Sequence, residues 1–153
     1  MTSQMTLVAF ETKRGATAEY ASILGGVLHG DFDHHVDMVN LREQKVPDLA
    51  PYDNVIVGSG IRIQRVYGKF RKLLKDKRLA EKRVAIFLSS GEAGGDPYKA
   101  TKKYIGRIEK KYPHLNPVAA QAFGGVYPNG KSDFREPETM RKWAHELGEK
   151  LKK

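Results

Sequence analysis

Met5-Thr6-Leu7-Val8-Ala9-Phe10-Glu11-Thr12-Lys13-Arg14-Gly15-Ala16-Thr17 decides how this chain is read. The run Met5 to Phe10 has the length and apolarity of a buried strand. A short loop of hydroxyl, basic and glycine residues follows it. From Thr17, apolar residues recur at helical spacing as Tyr20, Ile23, Leu24, Val27 and Leu28, which predicts a helix over Thr17–Leu28 stopped by Gly30.

The same rhythm continues outward. Strands are predicted at His35–Asn40, Asn54–Gly58, Arg83–Leu88 and Val118–Phe123. Helices are predicted around the stripe Val66, Phe70, Leu73 and Leu74, over Pro97–Lys111 with Pro at the first turn, and over Glu138–Leu151. The connection Leu41–Asp53 is too polar and too broken by proline for a full helix. Strands that alternate with helices form a parallel sheet, because parallel neighbours need crossover connections. The fold class expected is α/β: a three-layer doubly wound, flavodoxin-like fold with a five-stranded parallel sheet of order 2-1-3-4-5 and its ligand site beyond the carboxyl ends of the strands. The whole span 1–153 reads as one domain, a size that buries roughly 68–70% of the unfolded surface.

Composition narrows the function. Apolar residues make up 40% and charged residues 29%, ordinary values for a folded protein. The chain has no cysteine, which excludes disulfides, thiolate metal sites and Cys-ligated iron–sulfur clusters, and fits a reducing compartment. No apolar run approaches the ~20 residues of a membrane span, and no signal peptide is visible, so a cytoplasmic location is expected. The net charge of +9 is concentrated: ten Lys/Arg stand against Asp76 and Glu81 between Arg62 and Arg83, and six stand against Glu109 between Lys99 and Lys111. This is either a solvated helical face or a docking surface for an anionic partner.

In the expected fold the loops after the first, third, fourth and fifth strands carry function, and most of them are rich in Gly and Ser. Thr12 to Thr17 places two hydroxyls, a glycine and helix N-terminal amides where a phosphate could sit, with Lys13 and Arg14 adding charge. Neither a G-x-x-x-x-G-K-[ST] loop nor a G-x-G-x-x-G loop is present. Adjacent His34 and His35 point to opposite faces of a strand, so no metal site is expected. The receiver-domain version of this fold is excluded, because Asp53 sits at the wrong end of its strand. Ser59, Ser89 and Ser90 lack a G-x-S-x-G elbow, and no catalytic residue is assigned. Trp143 reads as packing.

Phe10-Glu11-Thr12-Lys13-Arg14-Gly15-Ala16-Thr17 resembles the T-x-x-G-x-T phosphate loop of flavodoxins. The resemblance continues through Tyr52 to Arg62, at Pro97-Tyr98, and at Ala122-Phe123-Gly124-Gly125-Val126-Tyr127-Pro128, in the order found in the branch that includes flavodoxin-type protoporphyrinogen oxidases. It implies FMN as cofactor, with the phosphate on Thr12, Lys13, Arg14, Gly15, Ala16 and Thr17. It places the isoalloxazine ring between Gly58-Ser59-Gly60-Ile61-Arg62-Ile63 and Ser89-Ser90-Gly91-Glu92, with Gly124 near its far edge. The turn expected to touch the ring holds no aromatic residue, and Tyr67 is the nearest. The loops that would carry protoporphyrinogen oxidase activity are short here, so that activity is not carried over.

The function expected is FMN-dependent electron transfer or oxidoreduction with a redox partner protein, an acidic one by charge. Peripheral contact with an anionic membrane is an alternative surface, and nucleic acid is the weaker one because few aromatics accompany the basic stretches. The rival reading is a flavin-free interaction module that uses the basic helices, which the strand order places on one side of the sheet.

Overall fold

The computed structural model describes residues 3–13, 15–62, 65–91, 96–126 and 133–153. Alternation along the central strands generates its layers. In β1 (Met5–Glu11), Leu7 and Ala9 face one core while Val8 and Phe10 face the other. In β3 (Asn54–Arg62), Val55 and Val57 oppose Ile56, and in β5 (Arg83–Ser90), Val84, Ile86 and Leu88 oppose Ala85 and Phe87. Strands apolar on both faces must be covered twice. On one side lie α1 (Ala16–Phe32) and α4 (Pro137–Lys150); on the other lie α2 (Gly68–Leu74) and α3 (Pro97–Lys111).

With β2 (His35–Asn40) and β6 (Ala119–Gly124), the parallel strands run β2-β1-β3-β5-β6, the order expected. Off that path, β4 (Arg65–Val66) pairs antiparallel with the end of β3 and sets Arg62 opposite Arg65. Asp96 caps α3 through a 3.0 Å bond from Lys99 N, with Pro97 opening the helix.

Three expectations are corrected. Gly30 does not stop α1, which runs to Phe32 and closes at Asp33 in the left-handed region (φ 58°), its N–H on Leu28 O. Tertiary contact overrides the local signal: a Cβ on Gly148 of α4 would lie 2.3 Å from the Phe32 ring, so that ring is seated on the partner helix. Val66 belongs to β4 and not to the stripe of α2. The supposed loop starting at Gly58 is strand through Arg62, and Ser89 and Ser90 likewise end β5.

Candidate cofactor site

The C-terminal ends of β1, β3, β5 and β6 meet at one edge of the sheet, where the loop to α1 begins. Thr12 Oγ1 accepts a 3.0 Å bond from Gly15 N, which folds the loop into a turn. Gly15 has φ +89°, a conformation that disfavours any side chain, and the space beside it is open. As the N-cap of α1 it offers no side-chain acceptor, so the first-turn amides carry no side-chain cap. Ala16 is buried. Glu19, the acid of that first turn, is drawn to Arg135 at 3.0 Å. A loop of uncapped amides beside Lys13, with the carboxylate of the first helical turn paired to Arg135, suits an anion. Arg14 lies outside the described residues.

Two hydroxyls tie this loop to β5. Thr17, 1% exposed, places Oγ1 2.8 Å from Ser89 Oγ. Ser90 is buried, and its carbonyl accepts from Gly125 N at 2.9 Å. Gly91 follows the strand; Glu92 lies outside the described residues.

The end of β3 is built around Tyr67. Buried Ser59 donates to Gly60 O at 2.7 Å and accepts from Tyr67 N at 3.1 Å. The Tyr67 ring lies against Gly60, where a Cβ would come within 2.9 Å of it, and the Lys13 ammonium stands 4.9 Å from the ring centroid. Tyr67 thus joins the end of β3 to the loop after β1. Ile61 is partly buried and Arg62 exposed; Ile63 lies outside the described residues.

Two glycines expected at the flavin also have close neighbours on the side where a Cβ would stand. At Gly58 a Cβ would fall 2.2 Å from the Phe87 ring. At Gly124 it would fall 1.8 Å from Phe134 O. Gly124 also donates to the Glu136 carboxylate at 2.6 Å, and its carbonyl accepts from Tyr20 Oη. Tyr20 Oη in turn accepts from Glu136 N at 2.8 Å, and burial raises the phenol pKa to about 12. The phenol therefore stays neutral.

Glu11 escaped the sequence reading. It is 2% exposed at the end of β1, with Oε1 accepting from Phe70 N at 3.0 Å and Oε2 3.3 Å from Arg42 Nη1. It fixes the start of α2 beside the loop that follows β1. An acid closing an apolar strand was the available signal. His34 is buried against Thr6 and His35 is exposed beside Asp37; Trp143 packs edge-on against Phe123. Among the described residues, no group of three His, Cys, Asp or Glu could hold a metal, and no helix is long and apolar enough to cross a membrane.

Comparison with known proteins places this geometry. The family model described as flavodoxin domain matches residues 7–152. Protoporphyrinogen IX dehydrogenase [quinone] of Escherichia coli K12 is 31% identical over 70 residues, which cover 46% of this chain and 38% of that protein. Oxidised flavodoxin 1 of Bacillus cereus aligns with a TM-score of 0.70 at 14% identity, over 97% of this chain and all of that one. Flavodoxin 2 of the same organism gives 0.66 at 20% identity, over 96% and 99%. At such identities the likeness to the solved structures is one of fold.

Proposed function

The chain belongs to the flavodoxin domain family, with FMN as its cofactor, and from that premise we propose that it is an electron-transfer protein whose loop after β1 holds the FMN phosphate. The observation that carries this is the uncapped N-terminus of α1 behind the Thr12–Gly15 turn, where amide donors and the helix dipole favour an anion. Thr12, Gly15, Ala16 and Thr17 would line the cradle, with Lys13 and Arg14 supplying charge. Gly60, Ile61, Arg62 and Ile63 would border the ring on one side, and Ser89 to Glu92 on the other. Gly58 and Ser59 would continue the first of those walls, and Gly124 would lie near the far edge of the ring.

Bound FMN supplies reversible one- and two-electron chemistry. The chain orients it and sets its electrostatics. Tyr67, seated on Gly60 under Lys13, supplies an aromatic wall that the turn itself lacks. Lys13 and Arg62 place positive charge at the site's rim, which favours a reduced, anionic ring. The dehydrogenase activity in the name of the Escherichia coli relative is no part of the proposal, since the match spans only 38% of that protein.

The test is a titration of flavin-free protein with FMN and with riboflavin. FMN should bind at least tenfold more tightly, because charge-assisted hydrogen bonds are worth about 1.5–3 kcal/mol each. Thr12→Ala should reduce that preference by loosening the Gly15 turn. Equal affinity for the two flavins overturns the phosphate cradle, and no flavin uptake overturns the function.

A further inference from the structure

The two helical layers differ sharply in charge. α2 and α3 carry nine Lys/Arg against Glu109 alone, whereas α1 and α4 carry three against five Asp/Glu. Because α2 and α3 cover the same face of the sheet, one side of the molecule is strongly basic and the other is not.

Two recesses open on this basic side, one along each flank of α2. Between α2 and α3 is a cleft of about 160 Å³ lined by Arg65, Arg71, Arg107 and Lys111, with no carboxylate among the described residues of its walls. Arg65 and Arg71 make no ion pair among the described residues. Buried Tyr112 also lines the cleft, and its hydroxyl has no hydrogen-bond partner among the described residues. On the other flank, a groove of about 650 Å³ has exposed Val46 above buried Leu41 and Leu73 in its lining, with Lys45, Lys69 and Lys72 around them. Glu43 and Asp76 are the acids among its described lining residues, and Asp76 is held by Arg78 at 2.7 Å.

Cross-strand pairing extends the pattern to the cofactor edge. Register sets Arg62 of β3 opposite Arg65 of β4, and directly opposed like charges destabilise a strand pair unless an anion lies between or near them. Arg65 therefore belongs both to the hairpin at the site rim and to the cleft.

We propose that the α2–α3 face docks an acidic segment of a protein redox partner, with its carboxylates entering the Arg65–Arg71–Lys111 cleft and an apolar side chain covering exposed Val46. The inference rests on the electron-transfer reading above, since it places the partner beside the FMN edge. The apolar lining of the larger groove favours a peptide over a nucleic acid backbone, and two flanking recesses need an extended occupant. Guanidinium clusters match carboxylates in bidentate geometry.

The experiment uses FMN-titrated protein and a fluorescein-labelled peptide that alternates Glu with Leu. Anisotropy is read at 20 and 150 mM NaCl. Arg71→Glu with Lys111→Glu should weaken binding at least tenfold. Arg141→Glu with Lys142→Glu on α4 changes net charge equally and should weaken it less than twofold. Neutral replacement, Arg65→Ser with Lys111→Ser, should give a smaller loss in the same direction and guards against misfolding of the reversed variant. Equal losses from the α2–α3 and α4 pairs would mean attraction by net charge alone and overturn the proposal. Tighter, Arg71-sensitive binding of a 20-base-pair DNA duplex, or of phosphatidylcholine vesicles containing phosphatidylserine, would overturn the partner class. Flavin absorbance is recorded in the same samples: FMN uptake without peptide binding refutes this inference alone, and peptide binding without FMN uptake refutes the electron-transfer reading and the redox role of the docked partner.

Discussion

Thr17 and Ser89, 72 positions apart in sequence, share a buried hydroxyl–hydroxyl bond of 2.8 Å that fastens the first turn of α1 to the end of β5. Ser89→Ala leaves the Thr17 hydroxyl without this partner in a nearly inaccessible place, at a cost of about 1–3 kcal/mol. Thr17→Val combined with Ser89→Ala should cost less than the sum of the single changes, with a coupling of about 0.5–3 kcal/mol. Urea unfolding of the four proteins measures it. Strict additivity would show that the pair contributes nothing.

Gly124 and Gly26 should respond in opposite ways to alanine. A Cβ at Gly124 meets the Phe134 carbonyl, a backbone atom that cannot swing aside, so about 1–3 kcal/mol should be lost. At exposed Gly26, within α1, nothing lies within 4 Å, and alanine should add about 0.5–1 kcal/mol through helix propensity. Thermal melts of the two variants, one falling and one rising, decide the matter.

His34 makes stability depend on pH. It is 3% exposed, with Nδ1 2.8 Å from Thr6 Oγ1, which itself accepts from Asn54 Nδ2 at 3.0 Å. Burial, and then the Arg83 guanidinium, lower its pKa from 6.5, while Asp53 and Asp33 pull the other way. The unfolded chain therefore binds the proton more readily. Stability should be full above pH 6.5 and decline as pH falls from there toward the folded value. Asp53 and Asp76, lowered chiefly by bonds from Met5 N and Arg78, should add a second decline below 3.8. Urea midpoints at pH 7.5 and 5.5 should differ for the native chain and converge for His34→Gln.

Two substitutions test the flavin surroundings beyond the phosphate loop, although Tyr67→Ala also frees Lys13 of that loop from its ring contact. Tyr67→Ala removes the ring between Gly60 and Lys13 and should weaken FMN binding about tenfold, given that an aromatic pair contributes about 0.5–1.5 kcal/mol beyond burial. Arg62→Glu should lower the FMN midpoint potential by roughly tens of millivolts, because an exposed charge acts through screened Coulomb forces. Anaerobic reductive titration reads the second. A potential that rises or stays fixed would remove Arg62 from the flavin's neighbourhood.

The parallel sheet was legible because its strands are short apolar runs between helices whose signals are local, such as Asp96 and Pro97 at the start of α3. Where a distant residue decides the conformation, reading failed. The course of α1 past Gly30 depends on Gly148, and the extension of β3 depends on pairing with Val66. The site divides the same way. The Thr12–Thr17 loop is self-contained, since Thr12 bonds Gly15 three residues on. That Gly58 and Gly124 also make room for the Phe87 ring and the Phe134 carbonyl is set by distant residues and has no local signal. Glu11 and Tyr67 gain their roles from Phe70 and Lys13, contacts that periodicity does not reveal.

The packing of α4 on α1 has a consequence for biosynthesis. Tyr20, Leu24 and Leu28 share one core with Met140, Trp143 and Leu147, and Tyr20 is bonded to Gly124 and Glu136. Roughly a hundred residues separate the two helices, so at about 5–20 residues per second the ribosome needs about 5–20 s to deliver the second after the first. Throughout that interval the apolar side of α1 lacks the part of its cover that α4 supplies. A nascent chain arrested before residue 137 should therefore recruit chaperones that one arrested well beyond residue 153 does not.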